Sequence, residues 1–409
     1  MRSDISGFYK KSIKERVEEL KKQTNVDDFK ALSKVKKEKL DQMIENVIGG
    51  FVLPFGVATN FKVNGKDYLI PMVTEEPSVV AASSKAAKLA RKNGGFKAEA
   101  DEPIMIGQIQ LVNLKDLGIA ANVVEKEKEN LIELANKQDP VLIKFGGGVK
   151  KLKTKKIKDM LVVEIYVDVR DAMGANAVNT MCEVLGAKLE KLTNGEVRLR
   201  IISNLATERK ARARAVWKKE DLGGEKNVDK ILDAYELARN DIYRATTHNK
   251  GIMNGIDAVA LATGNDYRAL EAGAHAYASL NGYHPLTKYR KDQNGNLIGE
   301  IELPLAVGTV GGATKSHPTA MLAMKILNVD SAQELSKVIA SVGLAQNFAA
   351  LNALAKEGIQ KGHMKLHSKN IASQAGAKED EVEEVSKKMI ESGEISENKA
   401  KEILEEIRK

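Results

Sequence analysis

Apolar positions recur at three- and four-residue spacing through Ile252, Ile256, Val259, Ala260 and Thr263, which predicts a helix packed on most sides with Lys250 at its start. Ser12 to Leu20 and Lys34 to Ile44 carry the pattern of amphipathic helices, interrupted at Asn46 to Gly50. Period-two runs at Val57 to Val63 and Asp67 to Met72 flank Asn64-Gly65, a strong hairpin signal, and an alanine-rich helix follows from Val79 to Arg91. From Ile104 to Ser203 the pattern becomes strand, helix, two strands, helix, strand: Ile104 to Leu114, Val123 to Asn136, Val149 to Ile157, Leu161 to Val169, Ala175 to Leu192 and Val197 to Ser203. This βαββαβ order is that of a ferredoxin-like unit inserted into a more helical chain.

Beyond the insert, Ile231 to Thr246 is helical, and a second hairpin is expected at Asn294-Gly295 between Thr287 to Lys291 and Leu297 to Leu303. Leu305 to Val310 runs into the glycine-rich Gly311 to Pro318. Ala345 to Ile371 reads as helix in two pieces around Gly358, and charged helices Asp380 to Ser392 and Glu397 to Lys409 close the chain. The fold class is therefore α+β: a mostly helical large domain (1–103 and 210–358), an inserted ferredoxin-like small domain (104–209) and a helical C-terminal flap (359–409).

A chain of 409 residues with this division has ample core. Its net charge of +8 comes from interleaved Lys and Glu, which suits solvated helix faces, with local basic runs at Lys150 to Lys158 and Arg209 to Lys219. Those runs leave open an anionic ligand or a noncatalytic RNA-binding role, although aromatics at 4% speak against base stacking. A single cysteine, Cys182, excludes an internal disulfide and a cysteine metal cluster. With no apolar run of membrane length and a charged N-terminal helix, neither membrane nor export signal is expected, and the cytoplasm is the expected compartment.

Candidate chemistry gathers around Lys250. A cation at a helix N-terminus calls for a carboxylate partner, which Asp266 can supply, and a lysine so held can stabilise an oxyanion; a solvated lysine is the plainer reading. Glu75-Glu76 precedes Pro77, so one carboxylate can face a cleft and, when buried, act as an acid, or both can merely favour the following helix start. Asp168 to Asn176 joins strand to helix through Gly174, where backbone N–H groups can accept a pyrophosphate or simply make a tight turn. Asp139, near the Gly146 to Gly148 cluster, can hold a ribose 2′-OH or initiate a turn with Pro140. His363 and His367 lie four residues apart, but Met364-Lys365-Leu366 lacks the glutamate of a zincin, so no metal is expected. His363 has the chemistry of a proton donor, carried at the hinge of the tail.

Taken together, Glu45 to Gly49, Thr74-Glu-Glu-Pro-Ser78, Asp168 to Asn176, Thr247 to Asp257, Gly311 to His317 and Gly358 to His363 resemble the hydroxymethylglutaryl-CoA reductase family in its soluble class II form. The resemblance runs in order over nearly the whole chain. It implies four-electron reduction of (S)-HMG-CoA to (R)-mevalonate and CoA with two NAD(P)H, or the reverse, in the mevalonate pathway of isoprenoid synthesis. It implies Glu76, Lys250, Asp266 and His363 as catalytic residues. Arg244, Ser78 and Asn254 fall on the acyl pocket, and Gln346, Asn347 and His367 on contacts to CoA. The cofactor loop falls on Asp171, Met173, Gly174, Ala175 and Asn176, with Asp139 at the ribose, so NADH is favoured over NADPH; Pro140 departs from the family pattern there. A homodimer with its site between subunits, within a hexamer built as a trimer of dimers, is also implied. A different acyl-CoA on the same fold would be told apart through Arg244.

Overall fold

The computed structural model describes residues 1–32, 35, 37–356 and 368–408. Helix α1 (Ile13–Gln23) opens on a capping box: Ser12 accepts from the Glu15 N–H while the Glu15 carboxylate takes the Ser12 N–H at 2.7 Å. Helix α2 (Lys37–Asp41) is shorter than the Lys34 to Ile44 pattern suggested, and residues 43–52 follow as irregular chain with Ile44, Ile48, Phe51 and Val52 exposed. Strands β1 (Phe55–Val63) and β2 (Lys66–Val73) form the expected hairpin. Asn64 and Gly65 both take positive φ, 49° and 87°, as a two-residue turn of this hand requires. Helix α3 (Val79–Arg91) lays Val79, Ala86, Ala87 and Ala90 on the core, and β3 (Lys97–Ala100) follows.

The inserted unit comprises β4 (Ile104–Val112), α4 (Leu117–Lys126), α5 (Lys128–Asn136), α6 (Pro140–Lys144), β5 (Gly148–Ile157), β6 (Met160–Asp168), α7 (Ala175–Thr193) and β7 (Glu196–Ser203). Its sheet is antiparallel throughout in the order β5-β6-β4-β7, the ferredoxin-like arrangement. The single helix expected over Val123 to Asn136 is two, α4 and α5, because Glu127 leaves helical geometry and Asp116 caps an earlier start. One face of the sheet packs on the helices, with Met105, Ile109, Val163, Ile165, Val178 and Leu185 in its core. Gly107 has no room for a side chain there: a Cβ would lie 2.5 Å from Cys182 Sγ.

The remainder runs β8 (Lys210–Trp217), α8 (Lys219–Leu222), α9 (Glu225–Asn240), α10 (Ile242–Ala262), α11 (Tyr267–Ala278), β9 (Thr287–Lys291), β10 (Leu297–Pro304), α12 (Gly312–Ser316), α13 (Pro318–Leu327) and α14 (Ala332–Leu354). A second antiparallel sheet has the order β3-β8-β10-β9. Its β8 is the run expected as a basic patch. Ala211, Ala213, Ala215 and Trp217 face the core, while Arg212 pairs with Asp101 and Glu302 and Arg214 with Glu300, so the arginines are largely neutralised in cross-strand pairs. Trp217 stacks on Phe348 of α14 with ring centroids 3.9 Å apart. Helix α14 is buried along most of its length and crosses α10 closely. Gly343 sits where a Cβ would come within 3.0 Å of Ile256, and Gly255 where one would come within 3.0 Å of Val342. Helices Val382–Ser392 and Glu397–Ile407 share a small core of their own around Val385, Met389 and Leu404.

Candidate active site

Helix α10 begins at Ile242, capped by the Asp241 carboxylate on the Arg244 N–H at 2.7 Å, so Lys250 is two turns inside the helix and not at its start. The helix-dipole argument for an anionic partner therefore falls away. Lys250, Asn254 and Asp257, spaced four and three residues apart, share one face. The Lys250 ammonium lies 2.9 Å from Glu76 Oε2, and the Asn254 amide donates to that same oxygen at 3.3 Å. Glu76 comes from the bend between β2 and α3, where its N–H donates to Thr74 Oγ1 at 3.2 Å. Its side chain keeps 34% exposure, so in the single chain Glu76 is a half-buried ion-pair partner of Lys250. An exposed pair of this kind contributes about 0–1 kcal/mol to stability, so its placement is explained by chemistry sooner than by folding.

Ser78, two residues on, combines two costs. Its φ is +79° and its hydroxyl is buried without a hydrogen-bond partner. Strain of about 1–3 kcal/mol and an unmet hydroxyl at one residue make Ser78 a candidate ligand position. Arg244 lies half-buried one and a half turns before Lys250; burial holds its pKa below the usual value, and its guanidinium has no ion pair among the described residues. A desolvated cation without a counter-ion is a receptor for an anion.

Asp266 does not pair with Lys250. Its carboxylate caps α11 through the Ala269 N–H at 3.1 Å and lies 3.4 Å from Arg268. The neighbouring Asn265 accepts from the Gly308 N–H at 2.7 Å. Gly308 is followed by Thr309 and Val310, which both donate to the Asp171 carbonyl, while Asp171 Oδ1 caps α14 at Ala332 N. The segment 305–310 thus makes a single isolated bridge, Val310 with Ala172, and brings the loop 171–174 beside the Asn265-Asp266 corner. Gly174 starts α7 at φ +103°, with Val169 filling the space of a Cβ. The N–H groups of Gly174, Ala175 and Asn176 have no hydrogen-bond partner among the described residues, while that of Met173 faces the Val310 carbonyl in the bridge between Ala172 and Val310.

Asp139 is the N-cap of α6, accepting from Leu142 N at 2.9 Å, with Pro140 at the first helical position. One carboxylate oxygen remains. Arg170 donates to the Gly146 carbonyl at 2.6 Å and ties the turn after α6 to the strand end that leads into 171–176. On α14, Gln346 is 7% exposed with its Oε1 unpartnered, packed against Gly255. Asn347 is 1% exposed: it donates to the His248 carbonyl at 3.1 Å and accepts from Thr287 and Tyr289. Its side chain fastens α14 to α10 and β9, and little of it is left for a CoA contact. His363 and His367 lie outside the described residues.

Three groups escaped the sequence reading. Asp257 stands beside Glu271 of α11, and burial with that neighbouring carboxylate pushes its pKa up to about 8. His248 is buried with Nε2 2.6 Å from Thr287 Oγ1; burial first, then the Arg244 charge, brings its pKa down to about 3. Arg209 is buried beneath the loop 171–174. Only Asp257 left a signal, its helical spacing from Lys250.

A lysine paired with a carboxylate near an unmet hydroxyl, with a glycine-capped helix start on the inserted unit, is the kind of arrangement an enzyme uses to meet a carbonyl oxygen and an anionic ligand. Residues 12–368 match the family model of hydroxymethylglutaryl-coenzyme A reductase. The chain is 52% identical to the 3-hydroxy-3-methylglutaryl-coenzyme A reductase of Archaeoglobus fulgidus over 100% of its own length and 95% of that protein's. It is 41% identical to the probable reductase of Borreliella burgdorferi, over 89% and 86% respectively. Its fold matches the class II reductase of Streptococcus pneumoniae, solved with NADPH in open conformations, with a TM-score of 0.82 and 43% identity, covering 98% of this chain and 100% of that one. The chain belongs to the hydroxymethylglutaryl-coenzyme A reductase family, class II, and is an oxidoreductase of the mevalonate pathway.

Proposed function

We propose that the chain reduces (S)-HMG-CoA to (R)-mevalonate and free CoA by two successive hydride transfers, with NADH favoured, at a site built from Glu76, Lys250, Asp266 and His363. The observation that carries this reading is the convergence of Lys250 and Asn254 on one oxygen of Glu76 beside the unpartnered Ser78 hydroxyl. The first hydride adds to the thioester carbonyl, and Lys250 stabilises the oxyanion. The C–S bond then breaks, with His363 giving a proton to the departing thiolate. The second hydride reduces the resulting aldehyde, whose oxygen takes a proton from the Glu76–Lys250 pair, and Asp266 keeps Lys250 charged once ligands draw these groups together. Arg244 and Ser78 receive the free carboxylate of the substrate, and Asn254 orients its acyl oxygen. Gln346 and His367 flank the CoA arm, with Asn347 holding α14 in place behind them.

The unpartnered N–H groups of Gly174 to Asn176, with Asp171 and Met173 bracing the loop, receive the cofactor pyrophosphate at the start of α7. Asp139, with one oxygen free of its cap, holds the ribose 2′-OH and repels a 2′-phosphate. The exposed Ile44, Ile48, Phe51 and Val52 support a homodimer as the working unit, with hexamers as trimers of dimers and the site completed across subunits. No described helix is long and apolar enough to cross a membrane, and the cytoplasm is the compartment we assign. The test is oxidation of NADH and of NADPH, in parallel, driven by HMG-CoA. Turnover with NADH at the higher kcat/KM is the expected result; equal or better use of NADPH overturns the cofactor assignment, and no HMG-CoA dependence overturns the reaction.

A further inference from the structure

Arg209 is 3% exposed and has no carboxylate within ion-pair distance among the described residues. Its guanidinium is satisfied by backbone instead: Nη1 donates to the carbonyls of Ala172 at 3.1 Å and Met173 at 3.2 Å, and Nη2 to the Val307 carbonyl at 2.5 Å. Burial brings its pKa down to about 10, which leaves it a cation at neutral pH, with Asp168 and Asp171 in its field. Because a trans peptide points its C=O and N–H in opposite directions, drawing the Ala172 and Met173 carbonyls to Arg209 turns the Met173 and Gly174 N–H groups the other way. The Gly174 N–H is one of the unpartnered donors at the start of α7, and that of Met173 faces Gly308 and Val310.

The third bond reaches a peptide unit held from both sides. The Val307 carbonyl accepts from Arg209, and the N–H of that same peptide, on Gly308, donates to Asn265 Oδ1 at 2.7 Å. Gly308 is pressed onto the loop so closely that a Cβ would lie 2.6 Å from Met173 N. Asn265 is covalently next to Asp266.

We infer that Arg209 and Asn265 are positioning residues that clamp the Val307–Gly308 peptide and so fix the cofactor loop 171–174 at a set distance from the catalytic corner at Asp266. This rests on the reading of that loop as the pyrophosphate cradle. Each half of the clamp has its own consequence. Arg209 aims the loop's donors, so its loss weakens cofactor binding. Asn265 ties the already formed loop to the catalytic segment, so its loss leaves cofactor affinity intact and displaces the hydride donor from its acceptor.

The experiment uses the full-length enzyme, with the dissociation constants of NADH and HMG-CoA measured separately, kcat, and the primary isotope effect with NADH deuterated at the transferring position. Arg209→Met is expected to raise the NADH dissociation constant about tenfold or more while leaving that of HMG-CoA unchanged. Asn265→Ala is expected to leave both dissociation constants unchanged, lower kcat on the order of a hundredfold and raise the isotope effect as hydride transfer becomes limiting. If Arg209→Met does not fold, Arg209→Lys replaces it, with a smaller rise in the NADH constant alone. Parallel loss of both affinities with a proportionate fall in melting temperature overturns the clamp in favour of a purely structural arginine, as does an Asn265→Ala variant with full kcat. Ala175→Glu serves as control: if it leaves NADH binding untouched, the cradle reading itself falls, whereas weak binding in Ala175→Glu with normal binding in Arg209→Met overturns the clamp alone.

Discussion

Lys250→Ala removes the only cation touching Glu76 among the described residues, and with it the group proposed to meet an oxyanion. A loss of about 3–4 kcal/mol of transition-state stabilisation is expected, read as kcat with HMG-CoA and NADH, while melting temperature and NADH affinity stay unchanged. More than about a tenth of wild-type kcat in a folded variant would remove Lys250 from the mechanism, since that residue corresponds to less than about 1.4 kcal/mol. Asp257 gives a different kind of test. Its folded pKa is raised to about 8 by burial and Glu271, far above an unfolded carboxyl near ~4, so the folded state holds a proton that the unfolded state has released. The stabilisation is complete below the unfolded value and drains away as pH rises toward about 8. Asp257→Asn should flatten that slope, most visibly as a melting temperature above wild type's at pH 8; equal slopes would show the proton to be elsewhere. At this scale the structure brings Glu76 and Lys250, both singled out by motif, into contact, and sets Lys250 two turns deeper in its helix than the sequence suggested. Thr247, His248 and Asn249, which lie between the two helices the sequence predicts, are continuous with α10; Thr287, Leu286, His284 and Asn347 from distant chain meet most polar atoms of His248 and Asn249, while His248 Nδ1 stays without a partner.

Helices α10 and α14 can approach because glycine faces isoleucine and valine at their crossing. Gly343→Ala sets a methyl 3.0–3.1 Å from Ile256 and Ile252, and overpacking of this sort costs about 1–3 kcal/mol. A lowered melting temperature together with reduced kcat is expected, since the same crossing carries Lys250 and Asn254; an unchanged melting temperature would mean that the isoleucines repack freely. Elements with strong periodic patterns, such as the β1–β2 hairpin, α3 and the strands of the inserted unit, were legible from sequence because local preference and burial agree there. Strand β8 was not, since alanine is a poor strand marker and its arginines resemble a patch until their partners on β10 and at Asp101 are known.

At the scale of the molecule, the apolar side chains of 43–52 stand largely uncovered on the single chain, with Ile48 at 101% and Phe51 at 91% exposure. Replacing Ile48 and Phe51 together by Glu should shift the protein to monomer in sedimentation and abolish turnover while the fold persists; a dimer that survives the change would place the interface elsewhere.

The inserted unit leaves the large sheet at Ala100 and returns at Ala211, and these two residues are register partners on neighbouring strands. Its two connections are thus adjacent, with Asp101 of the outgoing strand accepting from the Lys210 N–H of the returning one. The insert is thus a cassette set into the tip of what is otherwise an ordinary β3–β8 hairpin. Excising 101–210 and closing the gap with Asn-Gly should restore that hairpin and give a soluble protein that still binds HMG-CoA and no longer binds NADH, measurable by calorimetry. Grafting a related cassette at the same two positions is then a route to exchanging cofactor preference without touching the acyl pocket.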